Sequence, residues 1–351
     1  MPQATDEVAS VQVDAVDVET HLQRVLPCTS RTALRSSVLP TLLQCIASIA
    51  AKLRQAQQFA QAGTANAFGD EQLNVDVDCE AIIRAGLALS CPAVATASSE
   101  EDPVETPVRP AGAPGRDRRD GPEVYTVAFD PLDGSSIITA NWTVGTIVGV
   151  WDGATALGQN PAARQVAAVL GVYGPRTTAL VALRVPGQPG PAACFEVGIG
   201  AATAMRVLRP RVSLAGPPWA TRYFAPANLR AAAEDARYMA LVGRFVAERY
   251  TLRYSGGLVP DVVHALVKGH GVYVSPVTAG SRAKLRRLYE LCPVALVVEC
   301  AGGRAVDPVD GKRVLDRVVE GTDERGGLVC GNGEEVEMVV AMLTGCDASV
   351  L

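Results

Sequence analysis

Asp130-Pro131-Leu132-Asp133-Gly134-Ser135-Ser136 follows Val124-Tyr125-Thr126-Val127-Ala128-Phe129, an apolar, β-branched and aromatic run that reads as a buried strand. The chain leaves that strand and at once presents two carboxylates three residues apart. Pro131 stiffens the turn, Gly134 allows φ angles closed to other residues, and two hydroxyls follow. Carboxylates at this offset, with backbone carbonyls between them, suit a hard, oxygen-seeking cation such as Mg²⁺. The backbone N–H groups and hydroxyls just beyond suit an anion such as phosphate. A cation beside an anion site is the equipment of metal-assisted phosphoryl chemistry. A bare Asp-x-x-Asp-Gly would be only a turn between strands; the whole heptapeptide at a strand end carries the signal.

Upstream, Leu39, Leu42, Leu43, Ile46, Ile49 and Leu53 recur at three and four, which predicts an amphipathic helix from Val38 to about Gln61, ending near Gly63. Leu73, Val75 and Val77 alternate with Asn74, Asp76 and Asp78, the pattern of a half-buried strand, and a helix follows with Ile82, Ile83, Leu87 and Leu89. Ser98-Ser99-Glu100-Glu101-Asp102 is a second acidic cluster, and 103–122, rich in Pro, Gly and Arg, reads as a mobile surface loop. Residues 1–30 lack sustained periodicity and read as a loosely held arm.

Downstream, Thr143–Trp151, Gln165–Gly171 and Thr178–Val185 read as strands joined by tight turns, so the metal-binding part, residues 31–205, is expected to hold a largely antiparallel or mixed sheet. In the remainder, 206–351, the pattern predicts helices at Asn228–Arg249, Asp261–Lys268, Ser281–Leu291 and Glu334–Leu343. Strands are expected at Thr251–Tyr254, Gly271–Val274 and Ala295–Glu299, making a three-layer α/β unit. Arg282, Lys284, Arg286, Arg287 and Glu290 stand together on Ser281–Leu291, where Arg286 and Glu290 at i,i+4 make an ordinary ion pair if nothing else binds them.

The 351 residues carry a net charge of −5, so no basic field points to nucleic acid or an anionic membrane. A phosphorylated substrate would have to meet a local cluster of Lys and Arg together with a metal. Three histidines (His21, His264, His270) are too few and too scattered for a His-based zinc site. The nine cysteines include no Cys-x-x-Cys and read as reduced core thiols. No run of 18 apolar residues is present, and residues 1–20 are acidic and lack Arg, so neither a membrane span nor a leader is expected. These features predict a cytoplasmic protein; Ser349-Val350-Leu351 shares only its end residues with a peroxisomal address.

The heptapeptide, with Phe68–Asp76, Ser99-Glu100-Glu101, Phe129–Trp151, Tyr173–Thr178, Arg249–Asp261 and Lys284–Glu290, resembles the fructose-1,6-bisphosphatase/sedoheptulose-1,7-bisphosphatase family over about residues 38 to 345. Ile137–Gly145, Tyr173–Thr178 and Arg253–Asp261 look like its seven-carbon-sugar branch. The resemblance implies an α/β (α+β) fold layered α-β-α-β-α, two mixed sheets flanked by helices. It implies two or three Mg²⁺ ions per site, with Mn²⁺ as a substitute, on Glu100, Asp130, Asp133, Glu290 and the carbonyl of Leu132. Glu101 and Asp76 would orient and deprotonate the attacking water, with Asp70 assisting from a neighbouring loop. Gly134, Ser135 and Ser136 would cradle the 1-phosphate, and Lys284 and Arg286 would hold substrate phosphate or hydroxyl groups. Tyr254, Tyr273 and Asn228 would grip the distal phosphate, while Arg253 would reach a neighbouring subunit's site in a homodimer or homotetramer.

The implied reaction is hydrolysis of the 1-phosphate of sedoheptulose 1,7-bisphosphate. The alternatives are fructose 1,6-bisphosphate, alone or alongside, and a catalytically inactive sugar-phosphate-binding relative. An inositol-monophosphatase-type enzyme shares the acidic loop, but the basic cluster after Ala283 favours a bisphosphate. Phe59–Ala67 lacks the Cys-x-x-x-x-Cys pair of plant chloroplast enzymes, so dithiol switching there is unavailable. Thr139, and a loop 103–122 that looks longer than its counterparts, are further departures and point away from a light-controlled pathway.

Overall fold

The computed structural model describes residues 16–27, 29–56, 61–65, 71–109, 123–186, 192–200 and 204–345. Its first helix, α1 (Val18–Val25), lies where the sequence predicts a loose arm. Asp17 caps it by accepting from Thr20 N at 2.9 Å, and Val18, His21, Leu22 and Leu26 are buried in the core. A π-helical turn, Leu34–Val38, leads into α2 (Leu39–Gln55). Leu34–Gln55 is long and apolar enough to span a bilayer by length and composition, and its Leu39, Leu42, Leu43, Ile46 and Ile49 are buried. The helix stops six residues short of the expected end, since Gln61 opens β1 (Gln61–Ala65), which pairs antiparallel with β2 (Glu71–Leu73).

The expected strand at 73–77 is instead the start of α3 (Asn74–Ser90). Asp76 Oδ2 accepts from Leu73 N at 2.8 Å, one arm of a capping box, and so starts a helix. Val75, Cys79, Ile83 and Leu87, four apart, are its buried stripe. A strand β3 (Val94–Ser99) follows and pairs with the short β4 (Thr106–Pro107), so the predicted loop begins with a strand; residues 110–122 lie outside the described ones.

Next come β5 (Tyr125–Asp133), the four-residue α4 (Ser135–Ile138), β6 (Val144–Asp152), α5 (Pro161–Arg164), β7 (Gln165–Tyr173), β8 (Thr177–Leu183), β9 (Ala193–Ile199) and β10 (Met205–Arg209). They form an eight-stranded sheet in the order β10-β9-β8-β7-β6-β5-β3-β4, antiparallel except at β3–β5. Four of the six strands in the middle of this order, β5 to β8, are buried along nearly their whole length, because both faces of the sheet are covered. On one face lie α1, α2 and α3.

In the second part, Asn228 adopts a left-handed conformation (φ 53°) and Leu229–Ala233 is a 3₁₀ turn. The predicted helix therefore starts only at Ala236, where Asp235 caps α6 (Ala236–Ala247). The strands β11 (Tyr223–Pro226), β12 (Thr251–Leu252), β13 (Val272–Ser275), β15 (Arg304–Val306) and β17 (Leu328–Gly331) form a mixed sheet ordered β12-β11-β13-β17-β15. Between them run α7 (Leu258–Lys268), β14 (Leu285–Arg286), α8 (Cys292–Cys300) and β16 (Arg325–Gly326), with α9 (Gly333–Thr344) last.

Ser281–Leu291, expected to be a helix, is extended through β14, which pairs with β16, and then forms a π-helical turn, Arg287–Leu291. The expected strand Ala295–Glu299 is α8. Its Cys292–Val298 side are all buried between the two sheets, so no polar face marks its helical period. With α6 and α9 on the outer face of the second sheet, the layers run α-β-α-β-α.

Candidate active site

Between Asp130 and Asp133 the β5–β6 register slips: Asp130 faces Ile147 but Asp133 faces Gly145, one extra residue on β5. This bulge turns the strand end outward beside a site. Thr146 Oγ1 pins it by donating to Pro131 O at 2.8 Å and bonding the buried Tyr173 hydroxyl at 2.7 Å. Asp130 Oδ1 accepts from Leu132 N at 3.0 Å.

Glu100 N donates to Phe129 O at 3.1 Å, which sets the turn after β3 beside Asp130. Glu290 arrives from the π-helical turn, a geometry that often marks functional sites. Ligand oxygens of Glu100, Asp130 and Glu290 all lie within 4.8 Å of one another. Burial and then the Glu100 charge push both Asp130 and Glu290 well above the usual carboxylate range. Arg286 Nε stands 3.4 Å from Glu100 Oε1, one cation against three carboxylates. An all-oxygen donor set with excess negative charge and two buried members fits a hard divalent cation.

Asp133 does not join this cluster. Its Oδ1 accepts from Leu258 N at 3.1 Å and its Oδ2 from Val259 N at 2.7 Å, because the free N–H groups and positive end of α7 attract the carboxylate. Burial raises its pKa to about 6 against the lowering effect of these bonds. Leu132 is buried within the bulge. The Arg286 side chain is 1% exposed and lies beside Glu100 at the acidic centre. Glu290 Oε2 accepts from the backbone N of Arg286, four residues earlier in the chain.

Asp76, at the first turn of α3, is 4% exposed, and its Oδ1 has no hydrogen-bond partner among the described residues. Burial raises its pKa to about 7, the Leu73 N–H opposes the rise, and the Glu101 charge adds to it. A carboxylate poised near neutrality is a competent general base. Asp70 lies outside the described residues.

Gly134 takes φ 95° at the start of α4, and a Cβ there would sit 3.1 Å from Val144 Cγ1. Ser135 and Ser136 follow, exposed, as the first helical residues, whose N–H groups have no acceptor within a helix. Ser136, Asn228, Tyr254, Tyr273 and Lys284 line a cavity of about 450 Å³, joined by Arg230 and Arg282. Burial pushes the Tyr254 and Tyr273 phenols up, so both stay neutral donors. Asp261 holds the loop behind Tyr254 through Ser255 N at 2.6 Å and Gly256 N at 3.1 Å. Arg253 faces elsewhere, its guanidinium 5.6 Å from the Tyr223 ring centre. Arg230 and Arg282 have no place in the site expected from the sequence, although Arg282 stands in the basic run from Arg282 to Arg287.

The model described as "Fructose-1-6-bisphosphatase, N-terminal domain" matches residues 21–190, and that described as "Fructose-1-6-bisphosphatase, C-terminal domain" matches residues 218–344. The chloroplastic sedoheptulose-1,7-bisphosphatase of Triticum aestivum is 39% identical over 292 residues, 82% of this chain and 68% of the plant protein. The class 1 fructose-1,6-bisphosphatase of Syntrophotalea carbinolica is 36% identical over 287 residues, 80% of this chain and 81% of the bacterial one. A crystal structure from Toxoplasma gondii, provisionally assigned as a sedoheptulose-1,7-bisphosphatase, superposes with TM-score 0.80 at 33% identity, covering 93% of this chain and 98% of that one.

Proposed function

The chain belongs to the fructose-1,6-bisphosphatase family and is a sugar bisphosphatase, and we propose that it removes the 1-phosphate of sedoheptulose 1,7-bisphosphate with Mg²⁺ at its carboxylate centre. One observation carries this reading. Ser136, just past the acidic loop, and Lys284, just before the turn bearing Glu290, line the same cavity with Arg230 and Arg282. A site for one phosphate at the carboxylates thus opens directly into a basic cavity suited to the other.

Glu100, Asp130 and Glu290 would hold the cation, and Asp133 would add a ligand on release from α7. Bound there, a divalent cation supplies charge stabilisation at the phosphoryl oxygens. The N–H groups after Gly134, with the Ser135 and Ser136 hydroxyls, receive the 1-phosphate. Asp76, beside Glu101, takes the proton of the attacking water as the water oxygen bonds phosphorus, and the C1 oxygen leaves with a proton from solvent as its bond to phosphorus breaks. Lys284, Arg230, Arg282, Asn228 and the two phenols fix the far phosphate, and so the distance from the reacting carbon.

The test is phosphate release from sedoheptulose 1,7-bisphosphate with and without Mg²⁺, by wild type and Asp130→Asn. Release that needs Mg²⁺ and collapses in the variant is expected. The likeness to a bacterial fructose-1,6-bisphosphatase makes fructose 1,6-bisphosphate the comparison substrate, and a clear preference for it would replace the seven-carbon reading.

A further inference from the structure

Asp76, Glu80 and Arg84 stand four residues apart on α3, one stripe of the helix. The first of them faces Glu101, and the last reaches the turn that carries both Glu100 and Glu101. That turn closes through Ser99 N to Asp102 O and Asp102 N to Ser99 Oγ, both at 2.9 Å. Arg84 grips it from outside. Its Nη2 donates to Asp102 O at 3.3 Å and lies 3.2 Å from Asp102 Oδ2, while Nη1 donates to Thr106 Oγ1 at 2.9 Å. The Nε bonds Glu80 one helical turn back, and the guanidinium lies 5.9 Å from the Phe129 ring centre. Thr106 Oγ1 passes the restraint on to Ala97 O in β3 at 3.3 Å.

We propose that Arg84 is a positioning residue for the phosphatase reaction: it fixes the Glu100–Glu101 turn against the helix that carries Asp76. The proposal rests on the function assigned above. An exposed ion pair would contribute little, but this side chain is only 26% exposed and spends every guanidinium nitrogen on a different acceptor across helix, turn and strand. Such a fork holds orientation as well as distance, which a lysine ammonium cannot do. With the turn loose, Glu100 would wander from Asp130 and Glu290, and Glu101 from Asp76. Metal affinity and water activation would fall together. The basic cavity for the far phosphate, built from other elements, would not change.

The experiment compares Arg84→Gln, Arg84→Lys and Asp102→Asn with wild type. Its control is Asp78→Asn on the same helix, which breaks only the half-exposed pair of Asp78 with Lys52 of α2 (2.9 Å). Three quantities are read: kcat and KM for sedoheptulose 1,7-bisphosphate, Mn²⁺ affinity by calorimetry on the metal-free protein, and melting temperature. Arg84→Gln should weaken Mn²⁺ binding and kcat by about 10- to 100-fold, as loss of a partner behind metal ligands does. KM should stay within about twofold, since ground-state binding is untouched. Arg84→Lys should recover little, Asp102→Asn should fall in the same direction by less, and Asp78→Asn should match wild type.

Unchanged kcat and Mn²⁺ affinity in Arg84→Gln, with only a lower melting temperature, would overturn the proposal. Should Arg84→Gln not fold, Asp102→Asn decides on the same two readouts. Absence of phosphate release by wild type would instead remove the assigned function, and Mn²⁺ affinity would still report on Arg84.

Discussion

At the scale of single residues, Asp76 shows how burial makes a base. Its pKa of about 7 comes from desolvation first, with the Glu101 charge assisting and the Leu73 N–H opposing. Only the ionised form accepts a proton, so kcat/KM should rise with pH up to about 7 and level off above it. Asp76→Asn should cut kcat by about 10²- to 10⁴-fold and abolish that rising limb. A pH–rate profile from pH 5.5 to 8.5 at saturating Mg²⁺ checks this, and an intact limb in the variant would remove Asp76 from the role. Glu100, Asp130 and Glu290, grouped by the resemblance, do come together, their ligand oxygens all within 4.8 Å of one another. The partners of Asp133 and Arg286 could not be read from the sequence: Asp133 accepts from N–H groups 125 and 126 residues away, and Arg286 lies against Glu100. Where a side chain points is set by such distant partners, which no local motif encodes.

At the scale of elements, β6 and α7 meet at Gly145, where a Cβ would fall 2.5 Å from Val259 Cβ. Val259 is also the residue whose N–H holds Asp133, and α7 begins where the Tyr254–Gly257 loop ends. Gly145→Ala should therefore push α7 outward, destabilise the fold by about 1–3 kcal/mol through overpacking, and raise KM by shifting Tyr254. Denaturant midpoints and KM check both parts; unchanged stability would mean that α7 yields freely. The long strands β5, β6 and β7 were legible because strand length, turns and β-branched residues agree. α8 was not, since an element buried on every side loses its period, and only the start of α3 was misread, because three alternating residues outweighed the four-residue stripe Val75, Cys79, Ile83 and Leu87.

At the scale of the whole molecule, the acidic centre sits where the large sheet, α7 and the turn before α8 converge, so buried negative charge strains the joint between the two halves. The layered order could be inferred from the resemblance, but the second sheet's strand order could not, because strands of two to four residues carry too little pattern. Asp130, Asp133 and Glu290 all have pKa values raised by burial. The folded state therefore binds protons more tightly than the unfolded chain, whose carboxyls titrate near 3.8 (Asp) and 4.5 (Glu). Their contribution to stability is full below those values and is lost as pH rises through the folded ones, about 6 for Asp133, with Asp130 and Glu290 likewise held well above their ordinary range. With a chelator present, the melting temperature should accordingly fall between about pH 5 and 7.5. Adding Mg²⁺ at pH 7.5 should restore it, because a cation that binds only the folded protein takes the place of the missing protons. Asp130→Asn, which removes one buried charge, should raise the chelated protein's melting temperature at pH 7.5 and weaken its response to Mg²⁺. A chelated protein whose stability holds level or climbs over that range would show that the carboxylates are not strained together without metal.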